Sequence, residues 1–134
     1  MRAFYFGDED VTLENIHGLI DIYSDIDFWM AEHRAVTLLT SLPGHLPVYE
    51  YLFSHLGALS FGDGYGVGHF DEVHYLFNPQ ASEFPALKEQ DFTVRDLMVD
   101  LWTNFAKTGN PTSSNDFGFE WTPFDPDQPV NLNI

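Results

Sequence analysis

The sequence contains no cysteine. Disulfides therefore cannot brace it, and thiolate metal sites are excluded. It is also poor in cations, with five Lys and Arg against 21 Asp and Glu, for a formal net charge of −16. Such a surface repels phosphate backbones and anionic bilayers, which makes nucleic acid a poor partner. The charge reads as a solvated acidic surface, with steering of neutral or cationic substrates as the alternative. No apolar run approaches the roughly 18 residues that a membrane-spanning helix needs. The stretch from Met1 to Asp8 lacks the apolar segment of a secretory signal. No N-x-S/T glycosylation acceptor occurs, because Asn110-Pro111-Thr112 carries the excluded proline.

Apolar bulk is abundant. Hydrophobic residues make up 44% of the 134 positions and aromatics 16%, with thirteen Phe, six Tyr and three Trp. That suffices to fill a core and argues against disorder. The length suits one ordinary domain or a portion of a larger one.

Hydrophobic spacing places the elements. Leu13, Ile16, Ile20 and Tyr23 recur at helical intervals, and Thr12 is placed to cap that helix. A second helix is expected from about Phe28 to Leu39, ended by Pro43 and Gly44. Val48 to Phe53 is the best strand, and its lack of strict alternation suits a strand covered on both faces of a parallel or mixed sheet. A glycine-punctuated loop follows, then a short helix from Asp71 to Phe77. The strongest helix is expected from Thr93 to Lys107, with Val94, Leu97, Met98, Leu101, Trp102 and Phe105 as its apolar stripe. Thr93 and Asp96 fit a capping box, Gly109 a left-handed C′ position, and Pro111 a stop. Thr112 to Ile134 reads as an extended surface tail pinned by Phe117, Phe119, Trp121 and Phe124. A single strong strand leaves its backbone groups without partners, so part of the sheet is expected to lie outside this sequence. Uncovered strand edges and apolar faces would then favour aggregation.

Candidate chemistry centres on Gly66-Val67-Gly68-His69-Phe70-Asp71-Glu72-Val73-His74. A histidine after a glycine-rich loop, itself after a buried strand, sits where α/β enzymes keep catalytic groups. Imidazole can take a proton near neutral pH and return it. The bland alternative is an ordinary polar loop histidine. A metal site at His69 and His74 is disfavoured, because residues five apart on a helix point in different directions and the spacing does not match H-E-x-x-H. No cofactor is expected. No G-x-S-x-G nucleophile elbow and no HGGG-type oxyanion motif occurs, so a complete serine-hydrolase site cannot be assembled from these residues. Asp63 reads as an exposed loop acid, while Phe61 and Tyr65 could line a substrate gorge or merely anchor the loop.

Several colinear stretches resemble type-B carboxylesterases, in particular insect carboxylesterases and juvenile-hormone-esterase-like proteins. They are Phe4-Tyr5-Phe6-Gly7, Tyr23-Ser24-Asp25, Pro47 to Phe53, Gly66 to Phe77 and Leu101 to Pro111. The last is similar to the family signature W-x-N-F-A-[KR]-x-G-x-P. Trp121-Thr122-Pro123 and Leu132-Asn133-Ile134 fit the family's run toward its end.

The resemblance implies an α/β fold, the C-terminal portion of an α/β-hydrolase with few strands, several helices and an incomplete sheet. Residues 1–134 would form part of one carboxylesterase-type domain, truncated at both ends. His69 matches the triad histidine, Glu72 an acid supporting the site from behind, and Asp71 a position that lines the acyl or alcohol pocket. Phe70 departs from the small residue often found after the histidine, next to Gly68. The serine, the triad acid and the oxyanion glycines would lie upstream, so the isolated chain is expected to be inactive. The implied substrate is a small-molecule ester, and the implied setting secreted or extracellular. The alternative is a non-catalytic, neuroligin-like adhesion or binding member of the same superfamily. Oligomeric state is not legible.

Overall fold

A computed structural model describes residues 2–60, 64–77, 85–113 and 117–134. The chain divides into two units, Met1–Val48 and Tyr49–Ile134.

In the first unit, α1 spans Arg2–Phe6 and α2 spans His17–Ser24. A π-helical segment, Asp25–Trp29, leads directly into α3, Met30–Ser41. The two helices expected from the spacing are thus one helical run, joined through a widened turn rather than a break. The run starts later than expected. Thr12 does not cap it; its N–H and the Asn15 side chain (2.8 Å) instead close a turn ahead of α2. Phe6 is buried, and α1 approaches α2 so closely that a Cβ on Gly18 would lie 2.8 Å from the Phe6 ring. Tyr5 Oη donates to Asp25 at 2.5 Å across the same contact. After α3, Leu42 turns extended and Gly44 adopts φ 73°, so the proline–glycine stop falls where the sequence places it.

In the second unit, β1 (Tyr51–Leu52) pairs in parallel with β2 (Leu132–Asn133), with Tyr51 opposite Leu132 and Leu52 opposite Asn133. Flanking bonds from Leu132 N to Glu50 O (3.0 Å), Ile134 N to Leu52 O (2.9 Å) and Ser54 N to Ile134 O (2.7 Å) extend the pairing. The region read as a surface tail therefore ends as a strand. It is also anchored at Trp121 and Phe124, which are buried, and Trp121 Nε1 donates to Glu50 O at 3.1 Å. Phe119 remains exposed and does not help pin it. Among the described residues this two-stranded pairing is the sheet, which agrees with an α/β chain of few strands.

Helix α4 is one turn, Val73–Leu76, and α5 runs from Glu89 to Thr108. The start of α5 lies before Thr93, whose hydroxyl bonds back to Glu89 O within the helix at 3.3 Å. Lys88, with extended backbone, is the residue at the cap, and the Asp91 carboxylate receives its N–H at 2.8 Å. This is the carboxylate half of a capping box, with Asp91 rather than Asp96 in that role. Gly109 closes the helix at φ 75°, donating to Phe105 O at 2.8 Å. The apolar stripe of α5 turns toward β1. Trp102 packs edge-on against Tyr51 (4.9 Å between centroids) and lies 5.8 Å from Trp121. Leu59, Tyr75 and Met98 form the buried centre, ringed by Phe53, Val94, Trp102 and Ile134. Among the described residues, no helix is long and apolar enough to cross a membrane.

Met98 is wholly excluded from solvent. Truncating such a side chain loses its transfer energy and leaves a cavity, so Met98→Ala should destabilise by about 2–4 kcal/mol in urea unfolding. Phe105→Ala, at a side chain nearly half exposed, should cost less than half as much.

Candidate functional site

The histidine segment is built on a tight turn. Asp71 N donates to Gly68 O at 3.3 Å, which closes a four-residue turn with His69 and Phe70 at its corners. The Asp71 side chain reinforces it by accepting the Gly68 N–H at 2.8 Å. Bonds from Val73 N to Phe70 O (3.2 Å) and Tyr75 N to Glu72 O (3.0 Å) carry the turn directly into α4. His69 projects from this turn as an exposed side chain, while Asp71 beneath it is fully buried. Glu72 is half-buried and its Oε1 lies 3.5 Å from the Tyr51 hydroxyl on β1, a long hydrogen bond. Gly68, His69, Phe70, Asp71 and Glu72 therefore share one hydrogen-bonded corner, with the His69 side chain exposed.

Phe70 carries the strain of this corner. Its φ is 80°, the positive value that the third residue of such a turn requires and that side-chain-bearing residues avoid. The Phe70 ring stacks edge-on with His74 at 5.8 Å and lies 6.3 Å from the His69 ring.

Phe61 and Asp63 lie outside the described residues. Tyr65 is exposed. Among the described residues, no group of three His, Asp or Glu side chains could hold a metal ion.

A second polar constellation lies just behind the corner, and spacing alone did not reveal it. Asp91, in the first turn of α5, is completely buried. Its Oδ1 accepts from His55 Nε2 (2.9 Å), Ala58 N (3.1 Å) and the Tyr75 hydroxyl (3.1 Å), while Oδ2 accepts from Lys88 N (2.8 Å). Burial works to raise the Asp91 pKa, yet the donors from Lys88, His55, Ala58 and Tyr75 outweigh it and bring the group down to about 2. For Tyr75, burial first and the Asp91 carboxylate second push the phenol well above its ordinary range, so it stays a donor. Gly57 makes this convergence possible, since a Cβ there would overlap Asp91 Oδ1, Tyr75 Oη and His55 Nε2. The members come from residues 55 to 91, too far apart for a local pattern. The available signal was an acid three residues after Lys88, just ahead of the α5 periodicity.

Two outcomes follow from these geometries. Phe70→Gly should raise the melting temperature, because glycine removes a left-handed penalty of about 1–2 kcal/mol and gives back about half of it in unfolded-chain entropy. Phe70→Val should lower it. Because the Asp91 pKa is depressed on folding, its contribution is fully present above the unfolded value near 4. It is lost as pH falls toward about 2. The stability advantage of wild type over Asp91→Asn should therefore shrink by about 2 kcal/mol between about pH 5 and pH 2, measured by urea unfolding.

Comparison with known proteins bears on what this corner belongs to. The family model described as "Carboxylesterase family" matches residues 1–134. Juvenile hormone esterase of Tribolium castaneum is 28% identical over 149 residues, covering 100% of this chain and 25% of that protein. Bile salt-activated lipase of Homo sapiens is 28% identical over 118 residues, covering 87% of this chain and 16% of the lipase. Acetylcholinesterase of Bungarus fasciatus is 34% identical over 89 residues, covering 64% of this chain and 15% of the enzyme. The chain spans about a quarter or less of the length of these relatives. No solved structure matches it significantly. The resemblance read from the histidine segment and the W-x-N-F-A-K-x-G-x-P run thus extends over the whole sequence, and the chain belongs to the carboxylesterase family, which implies an α/β-hydrolase fold.

Proposed function

We propose that this chain is the C-terminal part of a serine carboxylic-ester hydrolase and supplies its catalytic histidine, His69. The observation that carries this reading is the corner itself: an exposed imidazole on a turn locked by backbone and carboxylate bonds, in a chain of the carboxylesterase family. In such a hydrolase His69 takes the proton of a serine supplied by residues outside this sequence as that serine attacks the ester carbonyl. It returns the proton to the leaving alcohol. Water then repeats the cycle on the acyl-enzyme, with His69 again as base. The substrate class is a small-molecule carboxylic ester.

The neighbours have supporting roles in this reading. Asp71 is fully buried, so instead of lining a pocket it holds the shape of the corner through Gly68 N, while Glu72 supports the site from the side of β1. The 134 residues contain no G-x-S-x-G nucleophile elbow, so alone they hydrolyse no ester by this route.

His69→Ala in the full-length hydrolase should lower kcat for a p-nitrophenyl ester by at least about a thousandfold, with Tm within about 2 °C of wild type because the side chain is exposed. Hydrolysis that persists at the wild-type rate would sink the assignment. So would hydrolysis by the purified 134-residue chain that vanishes with His69→Ala.

A further inference from the structure

We propose that Asp91 is the positioning residue for His69: one buried carboxylate oxygen on α5 grips both the entry to the histidine segment, at Ala58 N, and its exit, at Tyr75 Oη. This rests on the reading of His69 as the catalytic histidine.

A helix cap requires only the bond between Asp91 Oδ2 and Lys88 N. The other oxygen is given over to donors from the histidine side: His55 and Ala58 in the segment after β1, and Tyr75 in α4. From Tyr75 the connection to His69 is continuous. Tyr75 N bonds to Glu72 O, Val73 N to Phe70 O, and Asp71 N to Gly68 O across the corner that holds His69. The corner contains a strained residue, Phe70, and a strained turn persists only when its surroundings over-determine it. Asp91 supplies part of that restraint from outside the turn. Gly57 marks how tightly the parts are fitted, since any larger residue there would displace the carboxylate, the phenol or the imidazole.

The carboxylate is also well suited to the task. It sits on the first turn of a 20-residue helix whose Met98 and Leu101 are wholly buried, so the anchor point is fixed by the core. An acceptor that is fully buried and ionised cannot give up its donors to water without leaving an uncompensated charge. The placement of His69 thereby becomes a property of the packed α5–β1 layer rather than of the loop.

The test combines amide exchange with kinetics, using Asp91→Asn and the milder Tyr75→Phe, which removes one hydroxyl and keeps the ring in the core. In the full-length hydrolase, exchange should rise by about tenfold or more in peptides covering residues 68–77, while residues 98–108 stay protected. kcat should fall about tenfold in Asp91→Asn and severalfold in Tyr75→Phe, with KM within about twofold, the pattern of lost alignment rather than lost binding. Unchanged exchange at 68–77 in both variants would overturn the proposal. So would raised exchange with wild-type kcat, or a kcat loss in Tyr75→Phe matched by an equal loss of titratable active sites, which would mean unfolding alone. A parallel His69→Ala separates the two readings. If it abolishes turnover while the Asp91 and Tyr75 variants behave as wild type, only the positioning role fails; if it retains turnover, the catalytic assignment itself fails.

Discussion

A carboxylate with no solvent exposure must be met by donors from the protein, and Asp91 is met on both oxygens. The second unit is arranged around that requirement. Helix α5 starts at Glu89 because Asp91 turns back onto Lys88. The chain after β1 turns where Ala58 N can reach the same group. Tyr75 enters the core at an angle that leaves its hydroxyl on the carboxylate and its ring against Phe53 at 5.4 Å. Apolar packing and polar satisfaction coincide here, since Tyr75 belongs to both the buried cluster and the hydrogen-bond network. The corner that carries His69 is attached to this assembly through α4.

The aromatic layer gives α5 its orientation. Trp102 and Trp121 flank Tyr51, and Trp121 uses its one polar atom on Glu50 O, the same carbonyl that begins the β1–β2 pairing. Burying an indole next to a short ladder is workable because its N–H finds an acceptor. A two-residue pairing has little stability of its own. Its hold comes from the tail, which returns past Trp121 and Phe124 before adding the second strand.

Periodicity read the helices well and their ends poorly. The α5 stripe placed Met98 and Leu101 in the core, and Gly109 at its end, because those positions depend only on helical spacing and on φ. Its start was missed by four residues, since Lys88 caps through its backbone and carries none of the side chains that signal a cap. Spacing shows the joint between α2 and α3 as a gap because a π turn shifts the apolar register without a glycine or proline to announce it. The strand partner at Leu132–Asn133 is too short for alternation to distinguish it from tail. At the candidate site, residue type leaves His69 open between a catalytic and an ordinary loop histidine, and the family resemblance is what singles it out. The positive φ of Phe70 was foreshadowed only as an unusual residue after the histidine. The His55–Ala58–Tyr75–Asp91 convergence was not legible, because it joins residues up to 36 positions apart that only folding brings together.

The most direct measurement is the ionisation of Asp91 itself, followed through its side-chain carboxyl carbon by NMR as the pH is lowered in the folded protein. With donors on both oxygens the group should reach half-protonation near pH 2, its shift moving together with the ring signals of Tyr75 and His55. Titration near the ordinary carboxylate value of about 4, with Tyr75 and His55 unmoved, would mean that the carboxylate does not gather these donors and does not anchor the histidine corner.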